Sequence, residues 1–235
     1  MKVLDHGFVK LVQTTGHVGL ATTNAARCSF GETSEEFGDR DAKLCRYLLD
    51  NGHTSPFRHA FFTFHVKAPL FVMRQWWKYQ IGSTWRGYEI DGEPCAFDIQ
   101  VDTDQGCSWN ELSGRYKQMD PEFYLPAVAR ANDGRQSSVD AHELTAVMQQ
   151  GLRMAYRKAI QEYEFLIEQG VAKELARLAL PNSIYSECVW TVSLQAVLHF
   201  LEQRLKLDAQ WEIRQYAGSI LQLCKPQLSA MGIMP

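Results

Sequence analysis

The chain is poor in the features that would tie its chemistry to a metal or a disulfide. Its six cysteines, Cys28, Cys45, Cys95, Cys107, Cys188 and Cys224, are scattered with no C-x-x-C pair and no zinc-finger spacing. Reduced thiols in a cytoplasmic protein are therefore expected, and no metal site. His53 and His59 are six apart with Cys45 too distant to complete a ligand set, so they read as structural. There is no G-x-G-x-x-G after a strand and no Walker lysine, which removes the Rossmann and P-loop sites. No apolar run approaches a membrane span and no signal peptide is read at the start, so a protein free of the membrane is expected. Charge of one sign is also lacking. A net charge of −3 offers no broad cationic surface for a nucleic-acid polymer, while a local basic pocket for a small anion remains open. Repeats, low-complexity tracts and linkers are absent, so the 235 residues read as one domain, 1–235, with an ample core.

What is present alternates between strand and helix patterns. Residues Lys2 to Thr15 read as strand, turn and strand around Asp5-His6-Gly7, and the Ala-rich stretch Gly19 to Cys28 as a helix. A second helix is predicted over about Asp39 to Asp50, with Leu44, Leu48 and Leu49 on one side and Asn51-Gly52 as the stop. Phe62, Phe64 and Val66 alternate with Phe61, Thr63 and His65, which predicts a strand from Ala60 to Lys67. Pro69 then opens a helix on which Arg74 and Lys78, four apart, share a face and can line one cavity. A long helix is read from about Val139 to Gln169, ended by Gly170, and an extended connector from Pro181 to Trp190. Two amphipathic helices follow, Ser193 to Leu205 and Ala209 to Leu223.

Chemistry is concentrated in Trp109-Asn110-Glu111-Leu112-Ser113-Gly114-Arg115-Tyr116. The glycine admits close backbone approach, the guanidinium is a fork for phosphate oxygens, and the carboxylate accepts from sugar or amide groups. It reads as a binding loop rather than a core segment, although by itself a surface loop with a salt bridge fits as well. Ser113 lacks a dedicated base and is assigned to binding. The helix from Ser193 carries a polar stripe of Gln195, His199 and Gln203 that runs into Arg204, either a solvated face or a pocket wall. Trp76 and Trp77, being adjacent, must point in different directions, so at least one can face a ligand.

Four stretches, in order, resemble the flavin-dependent thymidylate synthases. They are Arg74-Gln75-Trp76-Trp77-Lys78-Tyr79-Gln80, the Glu111 to Tyr116 loop, the Arg177 to Pro181 turn, and Arg204 through Ala209-Gln210-Trp211-Glu212. The family patterns are R-Q-W-x-R-H-R-x-x-S, N-E-x-S-x-R-Y, A-R-x-x-L-P and R-x-x-x-x-A-Q-W-E. The likeness extends to His53–His59 and to Phe64-His65-Val66-Lys67-Ala68-Pro69, and so covers nearly the whole chain. It implies a mixed α/β fold, a small antiparallel sheet flanked by long helices, assembled as a homotetramer with sites shared between subunits. It also implies reductive methylation of dUMP to dTMP, with methylenetetrahydrofolate as carbon donor and FAD, reduced by NADPH, as hydride carrier.

Residue by residue, the resemblance gives dUMP to Gln75, Trp76, Trp77, Lys78, Glu111, Leu112, Ser113, Gly114, Arg115, Arg177 and Arg204. It gives FAD to Ser55, Lys78, Tyr79, Gln80, Glu111, Ser193, Leu194, Gln195 and His199. Arg204 is the catalytic candidate: permanently protonated, it is no base, but it stabilises negative charge growing on the pyrimidine and favours ionisation at N3. The alternative for Arg204 is a surface pair with Glu202 or Glu212.

Departures from the pattern are equally specific. Lys78-Tyr79-Gln80 stand where the family has R-H-R, and the family's asparagines and arginine near the start of the Ser193 helix vary here. An insertion of about two dozen residues, near 84–107, separates the first motif from the binding loop, with strand-like pieces near Tyr88 and Phe97. These keep two alternatives in view, a flavoenzyme that hydroxymethylates a uracil nucleotide and a non-catalytic nucleotide-binding protein.

Overall fold

In the computed structural model, the described residues are 1–77, 83–90, 93–101, 107–115, 118, 120–132 and 138–234. Strands β1 (Lys2–Val3) and β2 (Gly7–Thr14) lead into helices α1 (Val18–Arg27) and α2 (Asp39–Asp50). A 3-10 segment, Ser55–His59, precedes β3 (Phe61–Pro69) and α3 (Leu70–Trp77). Then come β4 (Ser83–Ile90), β5 (Glu93–Val101), β6 (Cys107–Glu111), β7 (Arg130–Asn132), β8 (Ser138–Asp140) and the long α4 (Thr145–Glu168). The chain closes with α5 (Lys173–Ala176), β9 (Tyr185–Ser193), α6 (Leu194–Arg204) and α7 (Trp211–Ala230). The expected mixed α/β architecture is borne out: an antiparallel five-stranded sheet, ordered β1-β2-β3-β9-β6, carries the helices.

Alternation decides which face the helices cover. Phe62, Phe64, Val66 and Ala68 of β3 and Cys188, Trp190 and Val192 of β9 are all buried. Against them lie Val72, Met73 and Trp76 of α3, Val197, Phe200 and Leu201 of α6, and Ile213, Tyr216, Ala217 and Ile220 of α7. Trp76 stacks on Phe200 with ring centroids 4.8 Å apart and meets Trp190 edge-on at 5.2 Å. The opposite face of β3 and β9 is polar, with Thr63 and Thr191 hydroxyls 3.0 Å apart and His65 Nε2 at 2.9 Å from Glu187. Helix α7 approaches the sheet so closely that a Cβ on Gly7 would lie 2.1 Å from the Tyr216 hydroxyl, which donates to the Lys67 carbonyl at 2.8 Å. Only glycine leaves room there.

Four sequence expectations are corrected. The stretch taken as an extended connector contains β9, a central strand paired with both β3 and β6. The start of the expected binding loop, Trp109–Glu111, belongs to the edge strand β6 (Cys107–Glu111) on β9, so the loop proper begins at Leu112. The long helix starts at Thr145, because Ser138–Asp140 pairs with Arg130–Asn132. Helix α7 also runs beyond Leu223 through Pro226 to Ala230, with Leu228 in its last turns and Met231 and Ile233 just past its end all buried. The insertion contains the antiparallel pair β4 and β5.

Candidate active site

The register of the sheet sets the site. Glu111, the last residue of β6, lies opposite Cys188 of β9, and the next amide, that of Leu112, donates to the Glu187 carbonyl at 2.8 Å. This places the Glu111 carboxylate beside buried Ser186, whose Oγ donates to Oε1 at 2.8 Å. A carboxylate fixed by a buried hydroxyl keeps its second oxygen in a defined direction. The chain then turns through Ser113 and Gly114, with the Ser113 hydroxyl accepting from the Arg115 backbone N–H at 3.3 Å and from its Nε at 3.4 Å.

Helix α3 supplies a second wall. Its first amides, Leu70 and Phe71, donate to the carbonyls of Ile184 and Asn182 at 3.0 Å, satisfying groups that a helix start leaves open and anchoring it to the segment before β9. One turn on, Arg74 projects from the same face as Leu70. The third wall is the 3-10 turn Arg177–Ala179 after α5, where Arg177 Nε donates to the Glu174 carbonyl at 3.3 Å. Arg74, Glu111, Leu112, Gly114, Arg177 and Ser186 thus line one cleft of about 440 Å³. Two exposed guanidiniums beside one anchored carboxylate suit an anion that carries hydroxyl or amide donors. A smaller adjoining hollow of about 230 Å³ shares Leu112 and Ser186 and holds Ser113, Lys67 and Glu187.

Cys188 lies under this cleft without taking part as a thiolate. Burial, then the nearby Glu111 and Glu187 carboxylates, push its thiol well above the ordinary cysteine range.

The remaining sequence-expected residues divide. Trp77 is 44% exposed and meets Trp109 edge-on at 5.4 Å, whereas the Trp76 side chain is fully buried in the core, so of the two expected nucleotide contacts only Trp77 presents its ring at the surface. Gln75 donates to the side chain of Gln210. Arg204 is the last residue of α6 and lines none of the cleft formed within this chain. Lys78, Tyr79 and Gln80 lie outside the described residues.

On the other side of the sheet's covering layer, α6 meets the 3-10 segment. Gln195 accepts from Arg58 Nε at 2.5 Å and donates to the Thr54 hydroxyl at 3.0 Å, and Ser55 is exposed beside them. His199 follows one turn later on α6 and is half-buried. A hydroxyl, an amide and a guanidinium on an open surface form a donor set that fits an anionic diphosphate such as that of FAD. Ser193 and Leu194 are corrected here: Ser193 is buried and its hydroxyl caps α6 by accepting from the Ala196 amide at 3.3 Å, and Leu194 is fully buried in the core.

Sequence reasoning missed Ser186, Asn182 and Arg58 as site residues. Arg58 and Arg74 stood inside quoted motifs, and the spacing of Arg74 to Lys78 already pointed to a shared cavity. Ser186 gave no local signal, because its role comes from a strand pairing.

The family model described as Thymidylate synthase complementing protein matches residues 10–228. Relatives named flavin-dependent thymidylate synthase are 38% identical in Kosmotoga olearia, over 96% of this chain and 88% of that protein. The protein of that name in Thermus thermophilus is 39% identical, over 96% of this chain and 74% of the relative. A crystal structure of a UMP/dUMP methylase PolB from Streptomyces cacaoi bound with 5-Br dUMP superposes with a TM-score of 0.76 at 27% identity, covering 100% of both chains. The same protein bound with 5-Br UMP gives 0.74, over 100% of this chain and 99% of that one. The chain belongs to the flavin-dependent thymidylate synthase family.

Proposed function

We propose that this chain, a single domain over 1–235, catalyses the reductive methylation of dUMP to dTMP, with methylenetetrahydrofolate as carbon donor and NADPH as reductant of FAD. The observation that carries this reading is the cleft in which Arg74, Arg177 and the Ser186-held Glu111 converge. Support also comes from a relative whose solved structure is described as a UMP/dUMP methylase bound with a brominated dUMP. The names of the relatives favour methylation over hydroxymethylation.

The roles follow from charge and donor capacity. Arg177 and Arg115, with Arg74, meet the phosphate, while Glu111, Ser113 and the backbone at Leu112 and Gly114 meet sugar and base edges. Trp77 offers an exposed ring, and Gln75 and Lys78 complete the nucleotide set. Arg204 stabilises negative charge as N3 ionises, which raises electron density at C5, the carbon that takes the one-carbon unit. FAD is held by Ser55, Gln195, His199, Lys78, Tyr79, Gln80 and Glu111, with Arg58 added from the geometry. When bound and reduced, it supplies the hydride.

A homotetramer with shared sites accounts for the separation of Arg204 from the cleft of its own chain. It also accounts for exposed Val147, Met154 and Phe165 on α4. Among the described residues no helix is long and apolar enough to cross a membrane, and the scattered cysteines suit a cytoplasmic setting.

The test is product analysis with carbon-labelled methylenetetrahydrofolate, dUMP, FAD and NADPH. Label is expected in dTMP, together with FAD that stays with the protein on dialysis. Label in hydroxymethyl-dUMP, or FAD-loaded protein that transfers none, overturns the assignment.

A further inference from the structure

A hydrogen-bonded chain runs from the buried start of α7 to a residue of the nucleotide set. Glu212 is 1% exposed, and its Oε1 accepts from the Tyr124 hydroxyl at 3.1 Å and from the Arg130 guanidinium. Its Oε2 accepts from the Gln210 side-chain amide at 2.9 Å, and Gln210 Oε1 in turn accepts from Gln75 Nε2.

The direction of this chain is dictated from the buried end. A carboxylate paired with a guanidinium only accepts, so Gln210 must turn its NH2 toward Glu212. Its carbonyl oxygen then faces Gln75, and that oxygen also only accepts. Gln75 must therefore spend one amide N–H inward, which fixes the side of the amide that carries Oε1 and leaves that oxygen, beside the second N–H, as the acceptor it presents outward. Reversing either amide would set a carbonyl oxygen against another acceptor, a costly arrangement beside a buried charge.

We propose that Glu212 and Gln210 are positioning residues that fix Gln75 as a hydrogen-bond acceptor, so that Gln75 selects for a ligand presenting an N–H or O–H donor at that point. The inference rests on the nucleotide reading above. Two donors of dUMP meet the description, the imide N3–H and the sugar 3′-hydroxyl, and analogues separate them. Tyr124 and Arg130 act one step further back by holding the carboxylate in place.

The experiment is equilibrium binding of dUMP, N3-methyl-dUMP and 2′,3′-dideoxyuridine monophosphate to the FAD-loaded full chain. Wild type, Gln75→Met and Gln210→Ala are compared. In the wild type one of the two analogues is expected to bind about five- to tenfold more weakly than dUMP, the range for one neutral hydrogen bond. Gln75→Met should weaken dUMP by that same factor and erase the difference from that analogue. Gln210→Ala, at an exposed side chain, frees the Gln75 amide to turn over and should reduce the discrimination to about half, a change that a purely structural role would not produce. Glu212→Gln removes the acceptor-only group that dictates the polarity and should do the same, but it leaves half-buried Arg130 without its charge partner, so Gln210→Ala decides if that variant does not fold.

Full discrimination retained in Gln210→Ala overturns the relay. Unchanged dUMP affinity in Gln75→Met, or two analogues that bind as well as dUMP, overturns the role of Gln75. A wild type that binds FAD but no dUMP removes the nucleotide reading and the relay with it.

Discussion

The cleft proposed for the nucleotide and the surface proposed for the flavin are built in opposite ways. In the cleft, side chains from α3, β6, β9 and the turn at Arg177 converge, and a buried serine pins the central carboxylate. On the flavin side, Arg58, Gln195 and Thr54 bond mainly to one another on an open surface, and the neighbouring Ser193 and Leu194 belong to the fold. The cleft is organised by the sheet of a single chain. The proposed flavin surface is an open patch of one chain, which fits the proposal of a site closed by a second subunit. The contrast teaches that strand register can preorganise the proposed nucleotide half of the site, while the proposed flavin half would take its remaining wall from a second subunit.

Four predictions would break or sharpen that contrast. The largest effect is expected from Arg204→Ala, which should lower turnover at saturating dUMP by about 3 kcal/mol of transition-state stabilisation and leave the protein folded. Wild-type turnover in the variant would make Arg204 structural. Arg177→Ala should weaken dUMP by about tenfold without changing FAD retention, a value discounted because the side chain is exposed. Arg58→Ala should do the reverse, and paired titrations of dUMP and FAD check both.

A third prediction concerns acid. Asp41 is buried, which alone would raise its pKa, but the Gly38 amide and the Arg27 guanidinium outweigh burial and hold it below the ordinary 3.8. Its contribution to stability is present above pH 3.8 and is lost as pH falls through the lowered folded value. Because Arg27 ends α1, which packs on the 3-10 segment of the flavin side, acid should loosen FAD retention before it disturbs the cleft. Asp41→Asn should cost about 1 kcal/mol at neutral pH and flatten this acid limb, as measured by denaturant unfolding across pH. The smallest effect is expected from Ser193→Ala, roughly 0.5 to 1 kcal/mol of stability through the lost cap, with FAD affinity unchanged. If that variant lost flavin at full stability, Ser193 would return to the binding set.

Much of this was legible in the sequence because it was local. The alternation of Phe62, Phe64 and Val66, the stops at Gly52 and Gly170 and the polar stripe of α6 each report their own segment, and the structure contains all of them. What failed depended on partners far along the chain. Trp109–Glu111 reads as the start of a loop and is strand because β9 lies beside it. Likewise Tyr185–Ser193 is central because β3 and β6 flank it, and nothing near Pro181 announces either neighbour. Ser193 carried a local signal that was misassigned: a serine directly before an apolar helix is a cap before it is a ligand. Trp76 shows the reverse, since of two adjacent tryptophans the sequence could not say which one the core takes.

The claim that the Arg74, Glu111 and Arg177 cleft receives the nucleotide phosphate is tested most directly by one comparison, the affinities of dUMP and deoxyuridine in wild type and Arg177→Ala. The account predicts that dUMP binds more tightly than the nucleoside in wild type, that this advantage shrinks about tenfold in the variant, and that deoxyuridine affinity is unchanged. An advantage of dUMP over deoxyuridine that is the same in both proteins would contradict it.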